Sequence, residues 1–303
     1  MKKKFITLGL VIIFSGYIFS QNINILPKLD SLNIFLKENI QDTDPGAAIL
    51  IKQDGKTVYE NYRGMANRQK GEKLTPNTTM GIASMSKQFE GMAVLILVNQ
   101  GKLRLDDYID TYLKDLPIDD RKITIKQLLT HVSGMPEITQ NENFMNSLDK
   151  PRSIDEILAI ALNGPMRHEV GGKYMYCNTG YTIVVKLIEQ ITGQSYHDFL
   201  AENILNPLDM KNTYSCDINN NAIDIASRYR QDSTGFHDAV KVHFSNLIGG
   251  GGIISNVRDM SIWADALLSG KNLPTNYKEM WQTAILNNGE DTHYGLGMGI
   301  SNI

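Results

Sequence analysis

Ser84 and Lys87 stand three positions apart in the stretch SMSK, at the head of an apolar run that ends at Gly101. On a helix that spacing sets both side chains on one face. A serine hydroxyl is a weak nucleophile until a neighbour takes its proton, and a neutral lysine amine can take it. Free lysine titrates near roughly 10.4, so offering the amine at neutral pH needs a shift of about three units, or roughly 4 kcal/mol. Burial and the positive end of a helix both push that way. The bland alternative is that Ser84 and Ser86 simply cap the helix, although acidic groups suit a helix start better than a lysine does. A second group, Tyr176-Cys177-Asn178, offers a phenol to pass protons and an amide to hold a substrate amide. Neither pattern decides anything alone. Ser147-Leu148-Asp149-Lys150 repeats the first in a polar stretch, and Tyr59-Glu60-Asn61 repeats the second inside an expected strand.

The elements that must position these groups are legible in outline. A helix-like lead, PKLDSLNIFLKENI, precedes AAILIKQ and TVYENYR, which flank Asp54-Gly55, a strong hairpin signal. After the Ser84 helix, LDDYIDTYL, ITIKQLLTHVSGM and SIDEILAIAL read as helix and loop. YTIVVKLIEQITG reads as a long helix stopped by Gly193, and Ser195 with Asp198 opens another as a capping box. VRDMSIWADALLSG is helical and closed by Gly270, and HYGLGMGI is a strand-like run at the end. Strands at both ends with helices between predict an α+β fold.

The 303 residues suffice for one large domain. Lys2, Lys3 and Lys4 precede FITLGLVIIFSGYIF, a signal-peptide pattern that predicts export, with cleavage between Ser20 and Gln21. The run is short for a membrane span, so a membrane association is expected only if the segment stays uncleaved. Its removal leaves 27 basic against 33 acidic side chains, a net charge of −6. With no basic cluster elsewhere, nucleic acid is excluded as an expected partner. Cys177 and Cys216 are permitted a disulfide in an exported chain. The six histidines form no H-E-x-x-H or similar pair, so neither metal nor cofactor is expected. Gly249 to Gly252 lacks the lysine of a phosphate loop and reads as a tight turn, and no G-x-S-x-G elbow occurs.

Taken together, these phrases carry a resemblance. GIASMSKQF, LLTHVSGMPE, YCNTGYTIVVKLIEQITG, NILNPLDMKNT, GGGIISNVRDMSIWADALLSG and YGLGMGI follow one another in order from about residue 44 to 300. In this the chain resembles the serine hydrolases of the penicillin-binding protein and β-lactamase-related family. The similar branch holds class C β-lactamases, D-alanyl-D-alanine carboxypeptidases and esterases. The resemblance implies an antiparallel sheet flanked by helices, with an all-helical subdomain over roughly 104–170. It implies Ser84 as acylated nucleophile, Lys87 as its proton partner, Tyr176 sharing proton traffic, and Asn178 contacting the substrate amide. Substrates would be β-lactams, D-alanyl peptides of peptidoglycan, or small esters, met in the periplasm or outside the cell. His131 and Ser133 read as structural, and Cys177 as a middle position without nucleophilic duty.

The family's third element, His-x-Gly or Lys-Thr-Gly, lies on a strand after YGLG, and residues 21–303 stop short of it. His293-Tyr294-Gly295 has the letters but overlaps the YGLG phrase. The domain is therefore expected to be incomplete, lacking its C-terminal strands and one oxyanion donor, a loss worth roughly 100- to 1,000-fold in turnover. Val184 and Leu187 are expected to lie uncovered, leaving a poorly stable, weakly active chain. A silent binder of cell-wall peptides, or a truncated product, is the alternative to an active hydrolase.

Overall fold

The computed structural model describes residues 26–118, 122–217, 219 and 225–301; the expected leader, residues 1–20, lies outside them. Helix α1 (Leu26–Asn39) leads into a hairpin of β1 (Ala47–Gln53) and β2 (Lys56–Arg63). Asp54 and Gly55 both take positive φ, 50° and 75°, as a two-residue turn matched to strand twist requires. The short strands β3 (Met65–Asn67) and β4 (Glu72–Lys73) pair next. Then β5 (Met80–Gly81) delivers the chain through a 3₁₀ turn, Ala83–Ser86, into helix α2 (Lys87–Asn99).

Helical and loop segments follow, with α3 (Ile125–Leu129), α4 (Glu142–Met145) and α5 (Ile154–Ala161). Thr124 with Gln127 and Ser153 with Glu156 form reciprocal capping boxes that start α3 and α5. The long helix α6 (Asn178–Thr192) ends at Gly193, φ 70°, and α7 (Tyr196–Leu200) starts on Ser195, whose side chain accepts from Asp198 N–H. β6 (Tyr214–Ser215), the hairpin β7 (Tyr229–Asp232) and β8 (Gly235–Asp238), and β9 (Ile253–Ser255) precede α8 (Val257–Ser269). Asn256 caps α8, and Gly270, φ 72°, ends it. The fold is α+β as expected, with its strands divided among four small antiparallel sheets in the described residues.

The sheet that matters for the site has the order β5-β9-β6. β5 runs directly into Ser84, and β9 leaves directly from the glycine run. Ile82 N–H donates to Ile253 O at 3.0 Å, and Ile253 N–H donates back to Ser86 Oγ at 3.1 Å. Ser86 is thus a cross-link between helix start and strand; it makes no capping bond.

Helix α2 is apolar on every side, with Phe89, Met92, Val94, Leu95 and Leu97 all fully buried, which marks a central helix rather than a surface one. Phe89 stacks on Trp263 of α8 with ring centroids 4.4 Å apart, and Trp263 Nε1 donates to Gln88 Oε1 at 3.0 Å. α6 packs on α2, α3 and α5. That corrects one expectation: Val184 and Leu187 are completely buried, because these three neighbouring helices cover them. The permitted disulfide is likewise absent. Cys177 sits in the main core and Cys216 in a separate small cluster with Phe244 and Ile254, both as free thiols.

The strand expected in HYGLGMGI is a tight turn instead, held by a single bridge between Tyr294 and Gly299. Gly297 has φ 98°, and a Cβ there would lie 2.3 Å from Lys87 O. Close approach to α2 has taken precedence over strand pairing. Gly91 shows the same contact from the helix side, since a Cβ on it would fall 2.3 Å from Leu296 O. Gly to Ala inside a helix ordinarily stabilises by about 0.5–1 kcal/mol. Here the sign should reverse: Gly91→Ala should destabilise by about 3 kcal/mol from overpacking. A thermal melt of that variant beside the parent protein measures it.

Candidate functional site

The 3₁₀ turn before α2 presents Ser84 on the surface while the next turn carries Lys87 inward, with its side chain fully buried. Ala83, immediately before Ser84, is held at φ 48°, a strained conformation of the kind that persists where surrounding structure over-determines it. Lys87 Nζ donates to Asn178 Oδ1 at 2.8 Å and to Gly250 O at 2.7 Å. Its ammonium position also lies over the Tyr176 and Tyr181 rings, 4.8 and 5.2 Å from their centroids. Burial pulls the Lys87 pKa well below the ordinary lysine range, opposed by the negative fields of Glu90, Glu137 and Cys177. Glu90, one turn further along α2, is equally buried, and burial holds its carboxyl above the usual range, against the pull of Lys87.

The hydrogen-bond inventory of an amine bears on what Lys87 can do. A neutral amine has two N–H donors and one lone pair; an ammonium has three donors and no acceptor. Asn178 Oδ1 and Gly250 O satisfy two donors and no more, so the neutral form is fully paired with its lone pair to spare. Burial pushes the Tyr176 phenol up to about 12, and the nearby Ser84 hydroxyl opposes this in part. At neutral pH Tyr176 therefore keeps its proton and can only give it.

The sequence phrase LLTHVSGMPE turns out to clamp the Tyr176-Cys177-Asn178 element almost residue by residue. His131 O accepts from Met175 N–H at 2.9 Å, and His131 Nδ1 accepts from Cys177 N–H at 3.0 Å. The Cys177 thiol points at Met135 O and Pro136 O. Glu137 accepts from Asn178, and Ile138 N–H donates to Thr179 Oγ1 at 2.9 Å. His131 is fully buried at φ 61°, with its ring 4.2 Å from the Tyr176 ring. Burial, then the charges of Lys87 and Arg167, push its pKa down to about 3, so it is a neutral packing ring that accepts one backbone hydrogen. Arg167 closes the clamp from the other side, donating to the carbonyls of Met135, Met175 and Tyr176 at 2.7, 3.2 and 3.1 Å.

All four residues singled out from the sequence, Ser84, Lys87, Tyr176 and Asn178, therefore meet at one place. Their sequence echoes do not: Ser147, in the turn after α4, bonds back to Asn143 O of that helix, and Tyr59 of strand β2 bonds Asn33. Asn178 has both ends of its amide engaged, Oδ1 on Lys87 and Nδ2 on Glu137. The glycine run holds more than a tight turn. Gly250 supplies a carbonyl to Lys87, and a Cβ on Gly250 would sit 3.0 Å from both Lys87 Nζ and Asn178 Oδ1. Glu90, Glu137, Arg167 and Gly250 were the members that residue type and spacing did not flag. A signal existed only for Glu137 and Gly250, inside phrases already noted. Tyr294 adds a ring 4.7 Å from His131, whereas His293 beside it is exposed. Among the described residues no three His, Cys, Asp or Glu side chains gather as metal ligands, and no helix is long and apolar enough to cross a membrane.

A buried lysine held by neutral acceptors beside an exposed serine, on an α+β scaffold of this order, defines a class. The chain belongs to the beta-lactamase family, whose model matches residues 37–302. Among curated relatives, Protein flp of Staphylococcus aureus (strain MW2) is 31% identical over 173 residues, covering 56% of this chain and 34% of that protein. The chain thus aligns with about a third of that relative's length. Among solved structures, the octameric penicillin-binding protein homologue from Pyrococcus abyssi superposes with TM-score 0.73 at 29% identity, covering 90% of this chain and 64% of that one. D-amino acid amidase from Ochrobactrum anthropi SV3 does so with TM-score 0.71 at 25% identity, covering 84% and 74%.

Gly250 takes ordinary negative φ, unlike Gly249, so an alanine there strains no backbone. Gly250→Ala should leave the melting temperature within a few degrees of the parent while cutting kcat/KM by about tenfold or more, because its methyl group crowds the Lys87 amine. Paired thermal melts and ester or β-lactam turnover assays measure the two effects separately.

Proposed function

We propose that this protein is a serine hydrolase that works through an acyl-Ser84 intermediate on β-lactams, D-alanyl peptides or related small amides and esters. Ser84 Oγ attacks the substrate carbonyl carbon and gives its proton to the neutral amine of Lys87. As the tetrahedral intermediate collapses, the Tyr176 phenol protonates the leaving nitrogen or oxygen and recovers a proton from Lys87. Water then repeats the sequence on the acyl-enzyme, with the same groups in reversed roles. The Ser84 amide, at the start of α2, is one donor for the developing oxyanion. Asn178 and the Gly250 carbonyl hold Lys87 in register. The observation that carries this reading is the pairing of Lys87 with two acceptors and no carboxylate partner, which suits an uncharged base. The names of relatives that bind penicillin or cleave D-amino acid amides support the substrate range.

We also propose export, supported by Lys2 to Lys4 ahead of the apolar segment and by the small residue Ser20. The mature chain would then begin near Gln21, in the periplasm or outside the cell.

Intact mass after incubation with a penicillin should show one added acyl group on the parent protein and none on Ser84→Ala; a folded parent that takes no adduct would favour a silent binder. The acylation rate should climb with pH, with a midpoint below the roughly 10.4 of free lysine, because the amine must lose its proton before it can act. Glu90 favours the charged form of Lys87. Glu90→Gln should therefore move that rise to lower pH, as stopped-flow acylation across a pH series would record.

A further inference from the structure

Nothing in residue spacing explains why Asn178 presents its oxygen, rather than its nitrogen, to Lys87. A carboxamide has both at one end of a short side chain, and turning it over would bring a donor to the lysine. The choice is made on its far side. Asn178 Nδ2 donates to Glu137 Oε1 at 2.9 Å, and Asn178 backbone N–H donates to Glu137 Oε2 at 2.5 Å. Oε1 also accepts from Thr139 N–H at 3.2 Å and Thr139 Oγ1 at 2.8 Å. All four of these hydrogen-bonding groups are donors to the carboxylate, and a carboxylate is acceptor-only. It is also largely buried, at the N-terminus of α6, where negative charge is favoured. We propose that Glu137 is a positioning residue that locks the Asn178 amide with its oxygen toward Lys87 and so keeps the lysine's lone pair free for Ser84.

The inference rests on the reading of Ser84 and Lys87 given above, but its geometry stands apart from turnover. With a glutamine at 137, one of the two carboxylate positions becomes an NH₂ group. If that group takes the Oε2 position it meets the Asn178 backbone N–H, which cannot turn away. If it takes the Oε1 position it meets the Thr139 N–H, at a longer 3.2 Å, the Thr139 hydroxyl, which can rotate, and Asn178 Nδ2, and the clash with Asn178 is relieved when its amide turns over. The NH₂ of Asn178 then faces Lys87 and occupies its lone pair, disabling the base. The same substitution removes a negative charge whose field favours the protonated lysine. The other groups acting on Lys87 stay as they are: Glu90 on α2, Cys177, the neutral His131, and the rings of Tyr176 and Tyr181.

The experiment compares the parent, Glu137→Gln and Glu137→Asp, each labelled at lysine side chains for heteronuclear NMR and each treated with a fluorescent penicillin over a pH series. Lys87 in Glu137→Gln should titrate at lower pH than in the parent, and its acylation should be about ten- to a hundredfold slower at the parent's optimum. Glu137→Asp keeps the charge and should restore most of both. In the parent, the Asn178 side-chain NH₂ should exchange slowly with solvent, a test that needs no variant to fold. Unchanged Lys87 titration in Glu137→Gln, or a freely exchanging Asn178 amide in the parent, overturns the inference. A parent that takes no acyl group would overturn the hydrolase reading instead, and the titrations would still decide the role of Glu137.

Discussion

The site depends on an amine removed from water and given only neutral oxygens to bond. A buried ammonium with no carboxylate in hydrogen-bond contact is costly, so burial makes its proton easier to lose, while the fields of Glu90 and Glu137 pull the other way. Around this choice the neighbouring structure arranges itself. α2 must be apolar enough to bury Lys87, Gly250 must lack a side chain so that its carbonyl can come within 2.7 Å, and Asn178 must show its oxygen. The nearby carboxyl of Glu90 raises no contradiction, because burial favours its neutral form too. Lys87 and Glu90 titrate as a pair: burial discourages charge on each, and each favours charge on the other.

Two parts of the chain are brought to this amine by different means. The Ser84 turn and the glycine run arrive through adjacent strands, β5 and β9, whose backbone bonds set their spacing. The Tyr176-Cys177-Asn178 element has no strand to hold it. It is gripped instead by residues 131–138 and by Arg167, through backbone carbonyls, one imidazole nitrogen and one carboxylate. Local caps and glycines build the helices; cross-connections between loops place the chemistry.

How much of this the sequence made readable follows from the range of the forces involved. Local signals served well: Asp54-Gly55 turned a hairpin, Gly193 and Gly270 stopped helices, and Ser195 capped α7, since each acts within a few residues. Ser84, Lys87, Tyr176 and Asn178 were legible from chemical type together with the order of surrounding phrases. Glu137 and Gly250 were not, because an acceptor carbonyl looks the same at every residue and a glutamate has meaning only beside the donors it meets. HYGLGMGI misled for a related reason: its alternation fits a strand, but Gly297 and Gly91 let the backbone press against α2. Val184 and Leu187 were expected bare for want of C-terminal strands to cover them, whereas α6 packs on α2, α3 and α5 and both residues are buried.

The hydrogen bonds between Ile82, Ile253 and Ser86 have a consequence for how such a protein fails. Because Ser84 and the Gly250 carbonyl that accepts from Lys87 hang from the two sides of one narrow ribbon, any fluctuation that parts the ribbon dismantles both at once. Loss of chemical competence on warming would then be abrupt and local, arriving ahead of the collapse of the helical interior. Inactivation and melting would trace two separate curves.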